Sequence, residues 1–142
     1  MATRLKVLID LNIILDVLQN RESFYEKSAQ LLAGAEIGSI DGYVAAHNLT
    51  TLYYLVARYL GPKEARLTIQ QLLSFLKVAP VDQTVIEQAL VLNYADFEDA
   101  VLMMAAVQAG ADYVATRNIQ DFKIGPLPAL MPVELLGLVQ GE

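Results

Sequence analysis

RLKVLIDLNIILDVL, residues 4–18, holds an apolar run that stops at Asp10 and then resumes. A carboxylate in apolar surroundings is costly unless a partner or a cation offsets its charge. The run before it, LKVLI, is of the type that a buried parallel strand shows. The run after it, NIILDVLQN, reads as a helix. A strand that ends on an acid and passes directly into a helix predicts an α/β fold with Asp10 at a strand end.

The same alternation continues along the chain. SFYEKSAQLLAGAEIG reads as a second helix, with Ser23 as N-cap, Glu26 three residues on and Gly38 near its stop. DGYVAA reads as a strand. NLTTLYYLVARYLG is a helix ended by Gly61-Pro62, and Pro62 starts the next, PKEARLTIQQLLSFL. KVAPV is a strand weakened by Pro80, and DQTVIEQALVLNY is helical. ADFEDAVLMMAAVQAG is a long helix capped by Asp96 and stopped by Gly110. ADYVATR is a strand, and PALMPVELLGLV gives a short strand and a last turn or helix. Strands separated by helices predict a parallel sheet. Ligands in such sheets sit beyond the carboxyl ends of the strands.

Composition narrows the chemistry. The 142 residues fit one domain, residues 1–142, and are enough to bury a core. The chain is 55% hydrophobic and 18% charged, which is apolar for a soluble protein and points to a self-association surface, a permanent partner or a well-filled core. No apolar run is long enough to span a bilayer, and the N-terminus lacks the shape of a signal peptide. A cytoplasmic location without membrane attachment is the expectation. The chain has no cysteine and one histidine, His47, so a metal must be held by oxygen. A net charge of −6 argues against a general nucleic-acid binder, whose affinity comes from lysine and arginine.

The acids are therefore the informative residues. Asp10 follows the first strand, Asp121 lies just past the strand ADYVATR, and Asp96, Glu98 and Asp99 open the helix between them. Clustered carboxylates repel unless cations neutralise them, and Mg²⁺ or Mn²⁺ suits an all-oxygen site. Mg²⁺ keeps waters and open positions for a phosphate, so metal-assisted phosphodiester hydrolysis follows as the reaction class.

Each residue also has an ordinary use. Asp10 stands where an N-cap would. Asp96 reads as a cap, with Asp99 three positions on in a box-like arrangement. Asp99 shares a helical face with Met103 and Ala106, which favours a ligand role over a solvated one. Glu98 projects about 100° away from it and reads as an outer or supporting group. Asp121 can be a loop acid and Asn118 a turn cap. Asp16 reads equally as a surface residue. His47 reads as packed or hydrogen-bonded rather than as a general base, and Tyr53 and Tyr54 as core and groove residues.

Three segments together resemble the PIN domain, the fold of metal-dependent ribonucleases that includes VapC-type toxins. LIDLNIILDVL is similar to the family's opening D-T-N-x-x-L-D, with Asn12 at its asparagine. DFEDAVLMMAAVQAGADYVATRNIQDF is similar to its D-A-x-x-A-A-x-A-x-x-A-D-x-x-x-T-x-x-x-x-D-F, with Thr116 at the threonine. FYEKSAQLLAGAEIGSIDGYVAAHNLTTLYYLV is the spacer between them. The resemblance implies a three-layer α/β/α fold with a central parallel sheet and an acidic pocket for Mg²⁺ or Mn²⁺. It carries over Asp10 and Asp99 as ligands, with Asn118 and Asp121 as the last acidic segment. Asn12, Asp96, Glu98 and Thr116 are expected to support them. It also implies a single-stranded RNA substrate, a homodimer, and a small antitoxin whose tail fills the pocket.

The departures are specific. Leu11 stands where a threonine is usual, Thr51 where a glutamate is frequent, and Asn118 where an aspartate is frequent. Asp96, Glu98 or Asp16 would compensate from outside the ligand set. Arg117 is the expected phosphate contact, since guanidinium binds phosphate through two bonds, with Arg21 and Lys123 as weaker candidates. The alternative to a nuclease is an inactive PIN-like interaction module. A phosphotransfer domain would need an aspartate where Asn12 sits.

Overall fold

The structure, a computed structural model, describes residues 4–140. Five strands, β1 (Lys6–Ile9), β2 (Asp41–Ala45), β3 (Lys77–Ala79), β4 (Tyr113–Ala115) and β5 (Ala129–Leu130), form one sheet in the order β3-β2-β1-β4-β5. Every pairing is parallel. Seven helices cover it: α1 (Leu11–Leu18), α2 (Tyr25–Ile37), α3 (Ala46–Leu60), α4 (Pro62–Leu73), α5 (Gln83–Val91), α6 (Phe97–Gln108) and α7 (Pro132–Gln140). A 3-10 turn, Ile119–Phe122, follows β4.

The central strand explains the apolar run before Asp10. Val7, Leu8 and Ile9 are all fully buried. Successive strand side chains point to opposite faces. Val7 and Ile9 accordingly pack with Ile13, Ile14, Leu31, Leu52 and Leu135 on one face, and Leu8 packs with Val85, Met103 and Val114 on the other. The expected three-layer α/β/α architecture is the one observed. Among the described residues no helix is long and apolar enough to cross a membrane.

The chain order fixes where a ligand can enter. From β1 the chain builds outward through β2 to β3, then returns to the other side of β1 for β4 and β5. Connections on the two sides diverge between β1 and β4, and an open parallel sheet has its crevice outside such a switch. Residues 10 and 116 follow these two strands directly.

Helix ends agree with the sequence in part. Pro62 begins α4 directly after Gly61, and Gly38 closes α2 in the left-handed region at φ 87°. Ser23 is not the cap of α2: it sits at φ 75° in the preceding turn, and the N-cap position is Phe24, without a side-chain bond. The Arg21 carbonyl accepts from the N–H groups of both Phe24 (3.2 Å) and Tyr25 (2.9 Å). The backbone thereby takes up donors that a serine cap would have served. Glu26 remains in the first turn, where the helix dipole favours an acid.

Candidate active site

The Asp10 carboxylate is buried. It occupies the N-cap position of α1 but makes no capping hydrogen bond. Its backbone N–H donates to the Ala115 carbonyl at 2.9 Å, tying it to the end of β4. The Thr116 hydroxyl donates to Asp10 Oδ2 at 2.8 Å, and itself accepts from the Asn118 N–H at 3.1 Å. Thr116 is fully buried. Burial pushes the Asp10 carboxyl above its ordinary range; the Thr116 hydrogen bond, the N–H groups of Leu11 and Asn12, and the Arg117 guanidinium oppose that shift.

Asp99 faces the same crevice from the first turn of α6. Burial first, and then the charges of Asp96, Asp10, Asp121 and Glu98 in that order, together raise its carboxyl to about 7. Four further acids therefore act on one half-buried carboxylate. Among the described residues, however, no group of three acidic or histidine side chains is disposed to hold a metal ion as placed. The two observations measure different things. Electrostatic coupling reaches across several ångströms, whereas Mg²⁺ coordination needs oxygens at about 2.1 Å from one point. Coordination is set by spacing and not by coupling; of the five acids, Asp10 is buried and Asp99 half-buried, while Asp96, Glu98 and Asp121 are exposed. Mg²⁺ is bound through one or two carboxylates and keeps several waters, and an all-oxygen donor set of this kind fits it.

The supporting residues separate clearly. Asp96 caps α6 by accepting from the Glu98 N–H at 2.8 Å, and it is exposed. The box with Asp99 does not form: the Asp96 side chain accepts from the Glu98 N–H, and the Asp99 side chain makes no return bond to Asp96. Glu98 is exposed, and its carbonyl oxygen lies 3.2 Å from His47 Nε2. Asp121 and Asn118 are exposed on the 3-10 turn, where the Asp121 N–H donates to the Asn118 carbonyl at 3.0 Å. Thr51 directs its hydroxyl to the His47 carbonyl at 3.4 Å. Tyr53 and Tyr54 meet edge to face, but Tyr54 is exposed rather than in the core.

Asp16 and Arg117 sit differently from the sequence expectation. Asp16 is a fully buried residue of α1, not a surface acid. Arg117 Nε donates to its Oδ2 at 2.7 Å, Ser28 Oγ donates to the same oxygen at 3.2 Å, and Arg21 Nη1 stands 3.5 Å from Oδ1. The Arg117 guanidinium also lies over the Phe24 ring, 4.2 Å from its centroid. Arg117 is thus anchored by a carboxylate and an aromatic ring at the edge of the crevice, rather than extended from the loop.

Two further residues were not singled out by their sequence context. Asn48 is buried in the first turn of α3, one turn before the core residue Leu52. Its Oδ1 has no hydrogen-bond partner, nor do Asn12 Oδ1, His47 Nδ1 and the Tyr94 hydroxyl. An asparagine on the inward stripe Asn48–Leu52–Val56 was the available signal. Tyr94 meets Phe122 edge to face, and the Asp99 charge, after burial, raises its hydroxyl.

Comparison with known proteins adds independent information. The PIN domain family model matches residues 6–120. The chain is 24% identical over 118 residues to Ribonuclease VapC1 of Aquifex aeolicus (strain VF5), covering 80% of this chain and 81% of that protein. Its fold is similar to a toxin-antitoxin complex from Klebsiella pneumoniae, with a TM-score of 0.68, 21% identity, and coverage of 89% of this chain and 97% of that one. It is also similar to VapBC2 from Rickettsia felis, bound to a DNA fragment from its promoter, with a TM-score of 0.67, 17% identity, and coverage of 89% and 98%.

Proposed function

The chain belongs to the PIN domain family, and on that premise we propose that it is a metal-dependent endoribonuclease that cleaves single-stranded RNA as the toxin of a toxin–antitoxin pair. The observation that supports the reading is the coupling of the Asp99 carboxyl to the charges of Asp96, Asp10, Asp121 and Glu98, with Asp10 directly after β1 beside the switch between β1 and β4. Similarity to a ribonuclease and to toxin–antitoxin complexes supports it.

Asp10 and Asp99 would hold Mg²⁺ or Mn²⁺. When bound, the cation lowers the pKa of a coordinated water and offsets charge on the phosphate. Thr116 fixes Oδ2 of Asp10 and so sets the orientation of the carboxylate, as outer partners of metal ligands do. Asp121, exposed beside the crevice, adds a third carboxylate that can orient a water. Asn118 bonds Thr116 through its N–H and holds the loop that carries both. Asn12, Asp96 and Glu98 line or cap the same helix starts. Arg117, anchored at the crevice edge, offers its Nη groups to a phosphate.

A small antitoxin and a second copy of the chain are the expected protein partners, and the cytoplasm the expected location. An apolar groove lined by Leu15, Leu18, Leu55, Val56, Tyr59 and Leu60 supports a protein partner; Tyr59 and Leu60 are strongly exposed. The absence of a ready three-ligand group among the described residues, together with uncharged Thr51 and Asn118, favours the second reading, an inactive interaction module. The test is cleavage of a labelled RNA pool with Mn²⁺ or EDTA, by wild type and Asp10→Asn. Cleavage by wild type with Mn²⁺ alone is expected. No metal-dependent cleavage of any pool would replace the nuclease with the interaction module.

A further inference from the structure

We infer that the cavity beside the α1–α2 turn is a phosphate subsite, which binds the RNA backbone next to the linkage held at Asp10 and Asp99. The inference rests on the nuclease reading and adds where the strand runs.

The cavity, about 170 Å³, is lined by Ser23, Phe24, Lys27, Ser28 and Arg117, with Met131, Pro132 and Val133 closing its far side. Arg117 links it to the acid site: Thr116 bonds the Asp10 carboxylate, and the next residue, Arg117, lines the cavity and lies near enough for its charge to act on Asp10. A strand leaving the acids on this side meets Arg117 first and Lys27 next.

The cations are held ready. Asp16 is fully buried and engages both Arg117 and Arg21. Arg117 uses Nε for this pair, which leaves its two Nη groups to form a fork for phosphate oxygens. Arg21, whose Nε donates to Gln19 Oε1 at 2.8 Å, does not line the cavity, so Arg117 and Lys27 are the cavity's cations. Lys27 is exposed. The exposed acids of the same turn, Glu22 and Glu26, are not among the residues lining the cavity. Glu134, on the far side, is occupied by the Met131 N–H at 2.9 Å.

Aromatic surface lies beside the charge. Phe24 and Tyr25 are about 40% exposed, and Arg117 covers one face of Phe24. Single-stranded nucleic acid is bound by this pairing of backbone cations with rings on which bases stack. A chain of net charge −6 needs such a local cluster, because its overall field repels phosphate.

The experiment uses the exposed residues, because replacing Arg117 strands a buried charge. RNA affinity is measured against salt for a short single-stranded RNA in the uncleaving Asp10→Asn background, with and without Lys27→Ala or Tyr25→Leu. Lys27→Ala should flatten the salt slope by about one unit. Tyr25→Leu should weaken binding about fivefold or more without changing the slope. With Asp10 restored, both should raise KM and spare kcat. RNAs carrying one uncharged methylphosphonate linkage should reveal one sensitive position beside the scissile linkage, and Lys27→Ala should abolish that sensitivity. Unchanged slope, affinity and KM in both variants overturn the subsite while leaving metal-dependent cleavage intact. Absent cleavage with altered RNA binding instead rejects the nuclease reading, and with it the place of the cavity beside a scissile linkage, and leaves only a phosphate-binding cavity. Loss of affinity for an acidic peptide, with RNA affinity retained, makes the cavity a protein-docking site and overturns the inference.

Discussion

Replacing Arg117 with alanine removes the nearest partner of a carboxylate that has no contact with water. Asp16 is 0% exposed and its Oδ2 lies 2.7 Å from Arg117 Nε. Breaking a buried pair by deleting one member costs about 3–5 kcal/mol, because the remaining charge cannot be solvated. Two groups remain near Asp16: Ser28 Oγ at 3.2 Å and Arg21 at 3.5 Å. The cost should therefore fall at the lower end, about 3 kcal/mol. At about 2–4 °C per kcal/mol for a chain of this size, the melting temperature drops by roughly 6–12 °C. Asp16→Asn is the milder change. It keeps an acceptor for Ser28, and Arg117, 17% exposed and stacked on Phe24, still reaches water, so the loss is about 1–2 kcal/mol. Replacing both residues, Asp16→Leu with Arg117→Met, should recover most of the deficit. Urea melts of the four proteins at neutral pH give the comparison. If Arg117→Ala stays within about 0.5 kcal/mol of wild type, or Asp16→Asn costs more, the buried-charge reasoning is wrong.

Other outcomes follow from the crevice. The Asp99 carboxyl, raised to about 7 when folded, binds its proton more readily in the folded state than in the unfolded chain. In EDTA its contribution to stability is therefore full below about pH 4 and is lost as pH rises toward 7. Asp99→Asn escapes that loss, so its melting temperature should exceed that of wild type at pH 8 and the gap should close toward pH 4; a gap independent of pH would contradict the assigned shift. Calorimetric titration of Mn²⁺ should show binding by wild type and strong weakening in Asp99→Asn, and equal affinities would remove Asp99 from the site. Thr116→Val deletes the bond to Asp10 Oδ2 and the acceptor for the Asn118 N–H. It should lower stability by about 1–3 kcal/mol and Mn²⁺ affinity about 10- to 100-fold, which the same two assays check. At Gly125 an added Cβ would collide with the Tyr94 hydroxyl and stand 3.0 Å from Met103 Cε. Gly125→Ala should cost about 1–3 kcal/mol, and Tyr94→Phe should relieve part of that, as a thermal-melt double-mutant cycle will show.

Local pattern determined much of the fold by itself. The apolar run Val7–Ile9 needs two apolar faces, so a covered parallel strand follows from local pattern alone. Asp10 announced a site because an acid directly after such a strand has few inexpensive uses. Gly61-Pro62 forced a helix boundary through backbone sterics, and the order of acids along the chain carried the family likeness. Tertiary structure decided the rest. Ser23 has the chemistry of a cap, but the Arg21 carbonyl had already taken the donors it would have served, a competition between backbone groups that residue type does not encode. Asp16 has the polarity of a surface residue and is the most buried acid described, because Arg117 comes to it from a loop 101 positions away. Asn48 and Tyr94 became candidates only when their polar atoms proved buried without partners. Sequence periodicity reports which face of one element is apolar; whether a polar group is paired depends on what the other elements bring to it, and that distance exists only in the folded chain.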